Sequence, residues 1–287
     1  MINLRALGLL LLTLAASCTA PPRPEPQHRH PAPATGRYES FGQVRVMNVG
    51  RHVDCLTLLT QEPCDDATID ALQPVTTDMT GSSMVIAHDS GRSYVLTADH
   101  VCSSPNLPDT TVFPRGSKVI LTQLAWETQR VVVDIEGVTR SARPVISDGP
   151  NDICVMEVEG VWGRPVPLSP RPPEMGETAY NIAAPAGIFD AGMVPIFVGI
   201  YSGASTSISS PSAGPHMSLP VGPGTACHLY TFPSRPGSSG SAILSPAGEI
   251  VGVVHSTVTT VPGLSISASW EAVRGIYRRL EDFISSR

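Results

Sequence analysis

The chain has 287 residues with a net charge of −6, and it contains 28 prolines and 25 glycines. A chain of this length can form one or two substantial cores. Its acidic balance provides no broad basic surface, so we expect no nucleic-acid partner. The many turn-forming residues favour short elements over long helices.

Residues 1–18 are predicted to be an export signal. Arg5 precedes an apolar run over residues 6–14 that is too short to span a bilayer, and small residues then lead to Cys18. Small residues before a cysteine resemble the lipobox of bacterial lipoproteins, which implies cleavage and acylation at Cys18; ordinary secretion with an unmodified cysteine is the alternative. We therefore expect an exported protein of the cell envelope, attached to the membrane only by a lipid anchor on the periplasmic side, or else a secreted protein.

A proline-rich linker is predicted over residues 19–36, where the composition favours an extended, solvated stalk. Residues 37–80 are predicted to be an N-terminal extension that includes a first strand. Asp65, Asp66 and Asp70 match no calcium-binding loop, and the start of a solvated helix is predicted there instead. The sequence predicts no metal site and no cofactor.

The rest of the chain has the pattern of an all-β protein. Short runs rich in β-branched and apolar residues alternate with Gly, Pro, Ser and Asp. The predicted strands are 44–49, 83–87, 93–97, 118–122, 130–135, 153–158, 178–183, 194–201, 226–232, 242–244 and 250–254. This spacing is typical of a barrel or sandwich. Residues 270–284 are the exception, because apolar residues at spacings of three and four behind Ser269 predict a capped amphipathic helix.

Three motifs contain residue types used in nucleophilic catalysis. A strand-like run over residues 94–101 ends near His100, Asp152 precedes another strand-like run, and Ser239 lies between glycines 237 and 240. A serine on a glycine-flanked turn can expose its hydroxyl beside backbone N–H donors, and a histidine with an aspartate can supply the base and its orienting group.

Each motif alone also fits an ordinary structural role, because Gly-Ser runs form turns and aspartates often begin them. Asp99 and Asp148 compete with Asp152 for the acidic role, and Ser238 and Ser241 compete with Ser239 as nucleophile.

The order of the three residues along the chain gives the strongest indication. His100, Asp152 and Ser239 follow one another at separations of 52 and 87 residues, which is the chymotrypsin order. With these motifs the chain resembles the trypsin-like serine peptidases, above all the bacterial branch of HtrA-type and glutamyl (V8-type) enzymes. The resemblance extends over residues 81–284 and includes further motifs at 81–86, 180–187 and 248–254.

The resemblance implies a fold and an activity. The fold is two six-stranded antiparallel β-barrels in a peptidase domain over residues 81–287, joined by residues 164–173, with the C-terminal helix packed on the second barrel. The activity is that of a serine endopeptidase acting on proteins or peptides. Ser239 would attack the substrate carbonyl, His100 would carry its proton, Asp152 would orient the histidine, and the backbone N–H groups of Gly237 and Ser239 would bind the oxyanion.

The substrate pocket is less clearly indicated. Pro233 and Ser234 fall at its expected base, where trypsin has an acid, so a preference for Arg or Lys is not indicated. His255 is either a partner for a substrate carboxylate or a structural histidine, since it lies one position beyond that used by the glutamyl branch. We expect a small or aliphatic residue before the scissile bond.

Five cysteines remain beyond Cys18, and disulfides are permitted in an exported chain. Cys55 and Cys64, which enclose eight residues, are predicted to form a local bridge. Cys102 and Cys154 each follow a candidate catalytic residue by two positions and form a second candidate pair; buried thiols are the alternative.

Two other functions fit the same residues. One is a catalytically silent protease-fold lipoprotein that serves as a binding or scaffold module, and the other is an esterase that uses the same triad. No feature of the sequence indicates an oligomeric state.

Overall fold

The computed structural model describes residues 36–103, 107–115, 118–205, 226–258 and 261–287. The predicted signal over residues 1–18, the candidate acylation site Cys18 and the predicted linker as far as residue 35 lie outside these ranges. None of the described helices is long and apolar enough to cross a membrane.

Strands make up most of the described fold. They are β1 (Phe41–Thr57), β2 (Val75–Asp89), β3 (Arg92–Thr97), β4 (Thr110–Arg115), β5 (Lys118–Asp134), β6 (Thr139–Asp148), β7 (Ile153–Glu159), β8 (Thr178–Ile182), β9 (Ile196–Ser205), β10 (Cys227–Tyr230), β11 (Ala242–Leu244), β12 (Ile250–Thr257) and β13 (Ser265–Ala268). The α-helices are α1 (Asp66–Asp70), α2 (Asp99–Cys102) and α3 (Trp270–Ser285).

The first barrel contains six antiparallel strands in the order β1, β2, β3, β7, β6 and β5, and pairing of β1 with β5 closes it. Strand β4 pairs with the first residues of β5, and the two form a hairpin that lies outside the six-stranded barrel. Strand β2 runs unbroken across residue 81, so the predicted domain boundary lies inside it. The barrel core includes Val44, Val95, Val132 and Met156, all fully buried.

The second barrel closes in the order β10, β13, β12, β11, β8 and β9. Its core is more aromatic and includes Tyr230, Phe232, Ile243 and Val254. The predicted architecture of two six-stranded antiparallel barrels with a C-terminal helix is therefore confirmed.

Several strand boundaries differ from the prediction. The predicted strands 118–122 and 130–135 are the two ends of the single strand β5, whose middle alternates between exposed and partly buried residues. Strands β4, β6 and β13 were not predicted, since β4 and β6 contain prolines and β13 has only four residues. The predicted solvated helix is α1, where the Asp65 side chain accepts the N–H of Thr68 at 2.8 Å.

A third core joins the two barrels. It contains buried residues of the first barrel such as Leu96 and Val155, residues of the second such as Ile182 and Val253, and the apolar stripe of α3. The relative position of the barrels is therefore fixed by ordinary hydrophobic burial, which is worth roughly 2 kcal/mol for each large side chain.

Helix α3 contacts the second barrel, as the sequence predicted, and also the first. The Ser269 side chain caps the helix by accepting the N–H of Ala272 at 3.3 Å. At its other end Phe283 packs edge-on against Tyr94 of the first barrel, with ring centroids 6.2 Å apart. The apolar stripe extends to this last turn, which is why the helix reaches across.

Glu157 on β7 forms ion pairs with three arginines, one of which, Arg287, lies two residues beyond the end of α3. Its side chain is only 2% exposed and pairs with Arg92, with Arg143 at 2.8 Å and with Arg287 at 2.5 Å. Burial raises the pKa of Glu157, but the hydrogen bonds from the three guanidinium groups outweigh burial and lower the pKa overall. The carboxylate is therefore held ionised.

Glu157 should contribute stability that depends on pH. A carboxylate whose pKa is lowered by folding stabilises the fold fully above its unfolded value of about 4.3, and this contribution is lost as pH falls through the folded pKa. We expect Glu157→Gln to cost about 1–2 kcal/mol near neutral pH, because the hydrogen bonds lose a charged acceptor while the three arginines left behind are partly exposed to water. It should also reduce the loss of stability on acidification. Urea unfolding over a pH series measures both effects.

Glu127→Gln is the matched control. Its partner Arg51 lies at 3.8 Å and both side chains are exposed, and such pairs contribute about 0–1 kcal/mol. Equal losses of stability in the two variants would contradict the importance of the buried cluster.

Candidate active site

A cleft of about 360 Å³ is lined by both barrels. The first barrel contributes Met79, Thr80 and His100, and the second contributes residues 234–239 with Val254, Ser256 and Thr257. His100 and Ser239, which come from different barrels and are far apart in sequence, therefore face one cavity.

His100 is held by a single carboxylate. Its backbone N–H donates to Asp152 Oδ1 at 2.8 Å, and its ring Nδ1 lies 2.7 Å from Asp152 Oδ2. The Asp152 side chain is 2% exposed, and that of His100 is 39% exposed. Because an ionised carboxylate only accepts hydrogen bonds, Nδ1 carries the proton and Nε2 remains a proton acceptor.

The competing aspartates have other partners. Asp99 accepts the hydroxyl of Ser147 at 2.5 Å, and Asp148 accepts the side-chain amide of Asn151 at 2.9 Å. Asp152 has left-handed backbone dihedrals, with φ of 52° and ψ of 47° at the end of a 3₁₀ turn. Such strain is typical of functional sites, where the surrounding fold must maintain it.

A disulfide joins the elements that carry His100 and Asp152. Cys102 in α2 is bonded to Cys154 in β7, and Cys55 is bonded to Cys64. Both candidate pairings are thus present. Cys227 is a buried free thiol whose pKa is raised by burial, so its reactive thiolate form is disfavoured.

The turn that carries Ser239 is hydrogen-bonded to strand β2 of the first barrel. The carbonyl of Ser239 accepts the N–H of Ser82 at 2.8 Å, and the N–H of Gly240 donates to Val254 at 2.7 Å. Gly240 has a φ of +85°, and a Cβ there would overlap Thr97 and the carbonyl of Ser82. Glycine is therefore required after the candidate nucleophile.

The neighbouring serines are less available than Ser239. Ser238 and Ser241 are buried at 1% and 0% exposure. The hydroxyl of Ser238 accepts the N–H of Arg235 at 3.2 Å, and that of Ser241 accepts the side-chain amide of Asn181 at 2.8 Å. Ser239 is half-buried in the cleft wall.

The structure contains no hydrogen bond between His100 and Ser239. Contacts of this kind are commonly long in unliganded sites and shorten when substrate binds.

The loop before Ser239 presents free backbone donors. Among the described residues, the N–H groups of Gly237 and Ser239 have no acceptor. Gly237 has a φ of +96°, and a Cβ there would meet the carbonyl of Ala184. Two unpaired N–H groups flanking a serine hydroxyl are the arrangement that binds a developing oxyanion.

Ser82 holds this loop in place, a role that the sequence analysis missed. Its hydroxyl donates to the carbonyl of Gly237 at 2.7 Å and accepts the N–H of Ala184 at 3.0 Å. The serine was visible in the motif at residues 81–86, but its partners lie more than 100 residues away, so no local signal could reveal the contact.

The predicted pocket residues are distributed around the cleft. Ser234 lines it, is 7% exposed, and its hydroxyl has no hydrogen-bond partner among the described residues. Pro233 is exposed and His255 is buried, and neither belongs to the lining. No described residue of the lining carries a carboxylate. Nor do the described residues include a cluster of three or more His, Cys, Asp or Glu side chains able to hold a metal ion.

The assembled groups match one class of chemistry. A hydroxyl, a histidine whose proton position is fixed by a carboxylate, and two free N–H groups are the components needed for acyl transfer from a carbonyl compound to water.

Comparisons with known proteins agree with the fold. A family model described as "Trypsin-like peptidase domain" matches residues 81–253, and no curated protein matches the chain. The HtrA-type protease AlgW with a decapeptide is 16% identical, with a TM-score of 0.58 over 88% of this chain and 67% of that chain. The active form of the Rv3671c protease from M. tuberculosis is 16% identical, with a TM-score of 0.54 over 86% and 82%. The serine endoprotease from Yersinia pestis is 17% identical, with a TM-score of 0.51 over 87% and 66%.

Ser82→Ala tests whether Ser82 supports the loop that presents the free N–H groups of Gly237 and Ser239. Without the hydroxyl the carbonyl of Gly237 is no longer held, and we expect the reaction of Ser239 with a fluorophosphonate to slow about 10- to 100-fold. Complete loss of an oxyanion donor costs roughly 3 kcal/mol, and a donor that is only misaligned should cost less. Ser83→Ala is the matched control, because Ser83 is equally buried and donates instead to the carbonyl of Gly42 at 2.9 Å. Ser83→Ala removes one buried hydrogen bond and Ser82→Ala removes two, each worth about 1 kcal/mol of stability. Equal labelling rates in the two variants would contradict the assignment.

Proposed function

Because the chain belongs to the trypsin-like peptidase family, we propose that it hydrolyses peptide bonds in the cleft through a covalent acyl-enzyme. The proposal is carried by one observation, the pairing of His100 with the buried carboxylate of Asp152 on the wall of the cleft that contains Ser239.

The reaction follows from the proton positions. Ser239 Oγ attacks the substrate carbonyl carbon while His100 Nε2 takes the hydroxyl proton, and the negative charge on the oxygen is stabilised by the N–H groups of Gly237 and Ser239. The C–N bond then breaks as His100 donates the proton to the leaving amine. A water molecule attacks the acyl-enzyme by the same steps and restores the serine hydroxyl. Asp152 remains ionised and stabilises the imidazolium in both halves.

The described wall of the cleft offers no carboxylate to a basic residue before the scissile bond. Its described wall combines the hydroxyls of Ser234, Ser256 and Thr257 with Val254, and it lacks a carboxylate to pair with Arg or Lys. We therefore retain a small or aliphatic residue at this position as the expected substrate feature.

The site of action is part of the same proposal. The predicted export signal over residues 1–18 and the candidate acylation site Cys18 support a peptidase of the cell envelope that is held to the membrane by a lipid anchor and acts on proteins or peptides there.

Labelling of the full-length protein with a fluorophosphonate, mapped by mass spectrometry, tests the proposed nucleophile. We expect label on Ser239, and we expect it to be lost in Ser239→Ala and reduced at least about 1,000-fold in His100→Ala, because the serine then lacks its base. Ser238→Ala is the control, and it should still be labelled at Ser239. Label on another serine, or none on the folded protein, would contradict the proposal and favour a protease fold used for binding.

Hydrolysis of a peptide library, with short esters assayed in parallel, then tests the substrate. Cleavage dominated by basic or acidic residues before the scissile bond would contradict the expected preference, and turnover of esters without peptides would indicate an esterase.

A further inference from the structure

Arg235 is a charged side chain of the cleft wall that the proposed mechanism does not use. It lies four residues before Ser239, is exposed, and belongs to the described lining of the cleft. Apart from the imidazole of His100, no other side chain of that lining carries a charge at neutral pH. Because the guanidinium of arginine is always protonated in proteins, a substrate in the cleft meets a permanent positive charge there.

This charge is not neutralised by the part of the chain that the structure describes. The ion pairs between described side chains involve other arginines, and the guanidinium of Arg235 makes no hydrogen bond with any of these residues. The internal segments outside the described ranges, residues 104–106, 116–117, 206–225 and 259–260, contain no Asp or Glu, and residues 1–35 contain only Glu25. The guanidinium is therefore available to a carboxylate that the substrate supplies.

The backbone of Arg235 is fixed relative to the candidate nucleophile. Its N–H donates to the hydroxyl of Ser238 at 3.2 Å, and its carbonyl accepts the N–H of Ser238 at 2.8 Å. Pro236 follows with a φ restricted by its ring, and its carbonyl accepts the N–H of Ala186 at 2.6 Å. The same short turn presents the free N–H groups of the site. Only the side chain of Arg235 can rearrange, and it does so from a point held beside the reacting groups.

Arg235 lies at the opening of the cleft, and its neighbour lies deeper. Ser234 is 7% exposed, whereas Arg235 and Pro236 are exposed. A side chain that enters the pocket would meet Ser234 and Val254, and a flanking residue of the substrate would pass the guanidinium. A small or aliphatic residue before the scissile bond is therefore compatible with a charged contact at a flanking position.

The remaining charges of the molecule do not attract acidic substrates. The chain has a net charge of −6, so its field at long range repels them. The carboxylate of Asp152 is 2% exposed and accepts its hydrogen bonds from His100, so it does not face the substrate. Selection of an acid requires a short-range contact, and a guanidinium can bind a carboxylate through two parallel hydrogen bonds.

We propose that Arg235 selects substrates with an acidic side chain close to the scissile bond, at a position other than the one immediately before it. The substrate class is a peptide segment that combines a small or aliphatic residue before the scissile bond with Asp or Glu at a flanking position. The effect on cleavage rests on the proposed peptidase function, whereas the contact itself is measurable without turnover.

A set of peptides tests the effect on cleavage by the full-length protein. Each peptide has alanine before the scissile bond and carries Glu, Gln or Lys at one flanking position on either side. At one of these positions we expect kcat/KM for the Glu peptide to exceed that for the Gln peptide about 5- to 10-fold, between the effect of an exposed ion pair and that of a buried charge-assisted hydrogen bond. Raising the salt concentration should reduce this ratio.

Charge variants test whether Arg235 is responsible. Arg235→Gln should bring the Glu-to-Gln ratio to about 1, and Arg235→Glu should make Lys the preferred residue at the same position. Because each ratio compares two peptides on one variant, a general loss of activity cancels. Arg278→Gln is the matched control and should keep the ratio of the wild type, since Arg278 on α3 is also exposed, has no ion pair with a described residue and lies outside the lining of the cleft.

Three results would overturn the inference: a ratio below about twofold at every flanking position in the wild type, a ratio that Arg235→Gln leaves unchanged, or an equal loss in Arg278→Gln. If no peptide is cleaved and Ser239 is not labelled, the proposed function fails, and binding then decides the inference alone. In full-length Ser239→Ala protein the Glu peptide should bind about fivefold more tightly than its Gln counterpart, measured by fluorescence anisotropy, and adding Arg235→Gln should abolish the difference. Equal Kd values for every Glu and Gln pair would overturn the contact.

Discussion

The two hydrogen bonds from His100 to Asp152 are the constraint on which the site depends. They require the turn after β3 to lie beside the turn before β7. The pairing of Thr97 with Cys154 brings these two turns together. A register slip of one residue would exchange the faces of β7 and separate the pair. The disulfide between Cys102 and Cys154 links the same two strand ends. The disulfide, the β3–β7 backbone pairing and the His100–Asp152 hydrogen bonds therefore all keep the histidine beside the aspartate.

The other half of the site depends on how the barrels dock. The turn that carries Ser239 is hydrogen-bonded to Ser82 of β2, which also holds the loop that presents the free N–H groups. The shared core and helix α3 fix the barrels against each other. The ion pair between Glu157 and Arg287 holds the chain just after the C-terminal end of α3. Packing that appears purely structural therefore determines how close His100 lies to Ser239.

Much of this was readable from the sequence, because each motif is local and the order of the three motifs along the chain indicates how they combine. The strand that ends near His100, the glycines around Ser239 and the cysteine spacing each have a short-range signature, and so has the apolar stripe of α3. Strands β4, β6 and β13 were missed because prolines and small residues obscure their alternation. The contacts of Ser82 and the triple pairing of Glu157 arise only when distant segments meet, so no local pattern predicts them.

The division of the site between two barrels has a consequence for the time course of folding. A chain with only its first barrel folded has the histidine and aspartate but no nucleophile, and one with only its second has the serine without a base. Under the proposed mechanism, hydrolysis therefore requires both barrels to have formed and docked. On that mechanism, unfolded copies nearby would be exposed to attack only by molecules that have completed folding, which would limit self-digestion while a population of chains matures.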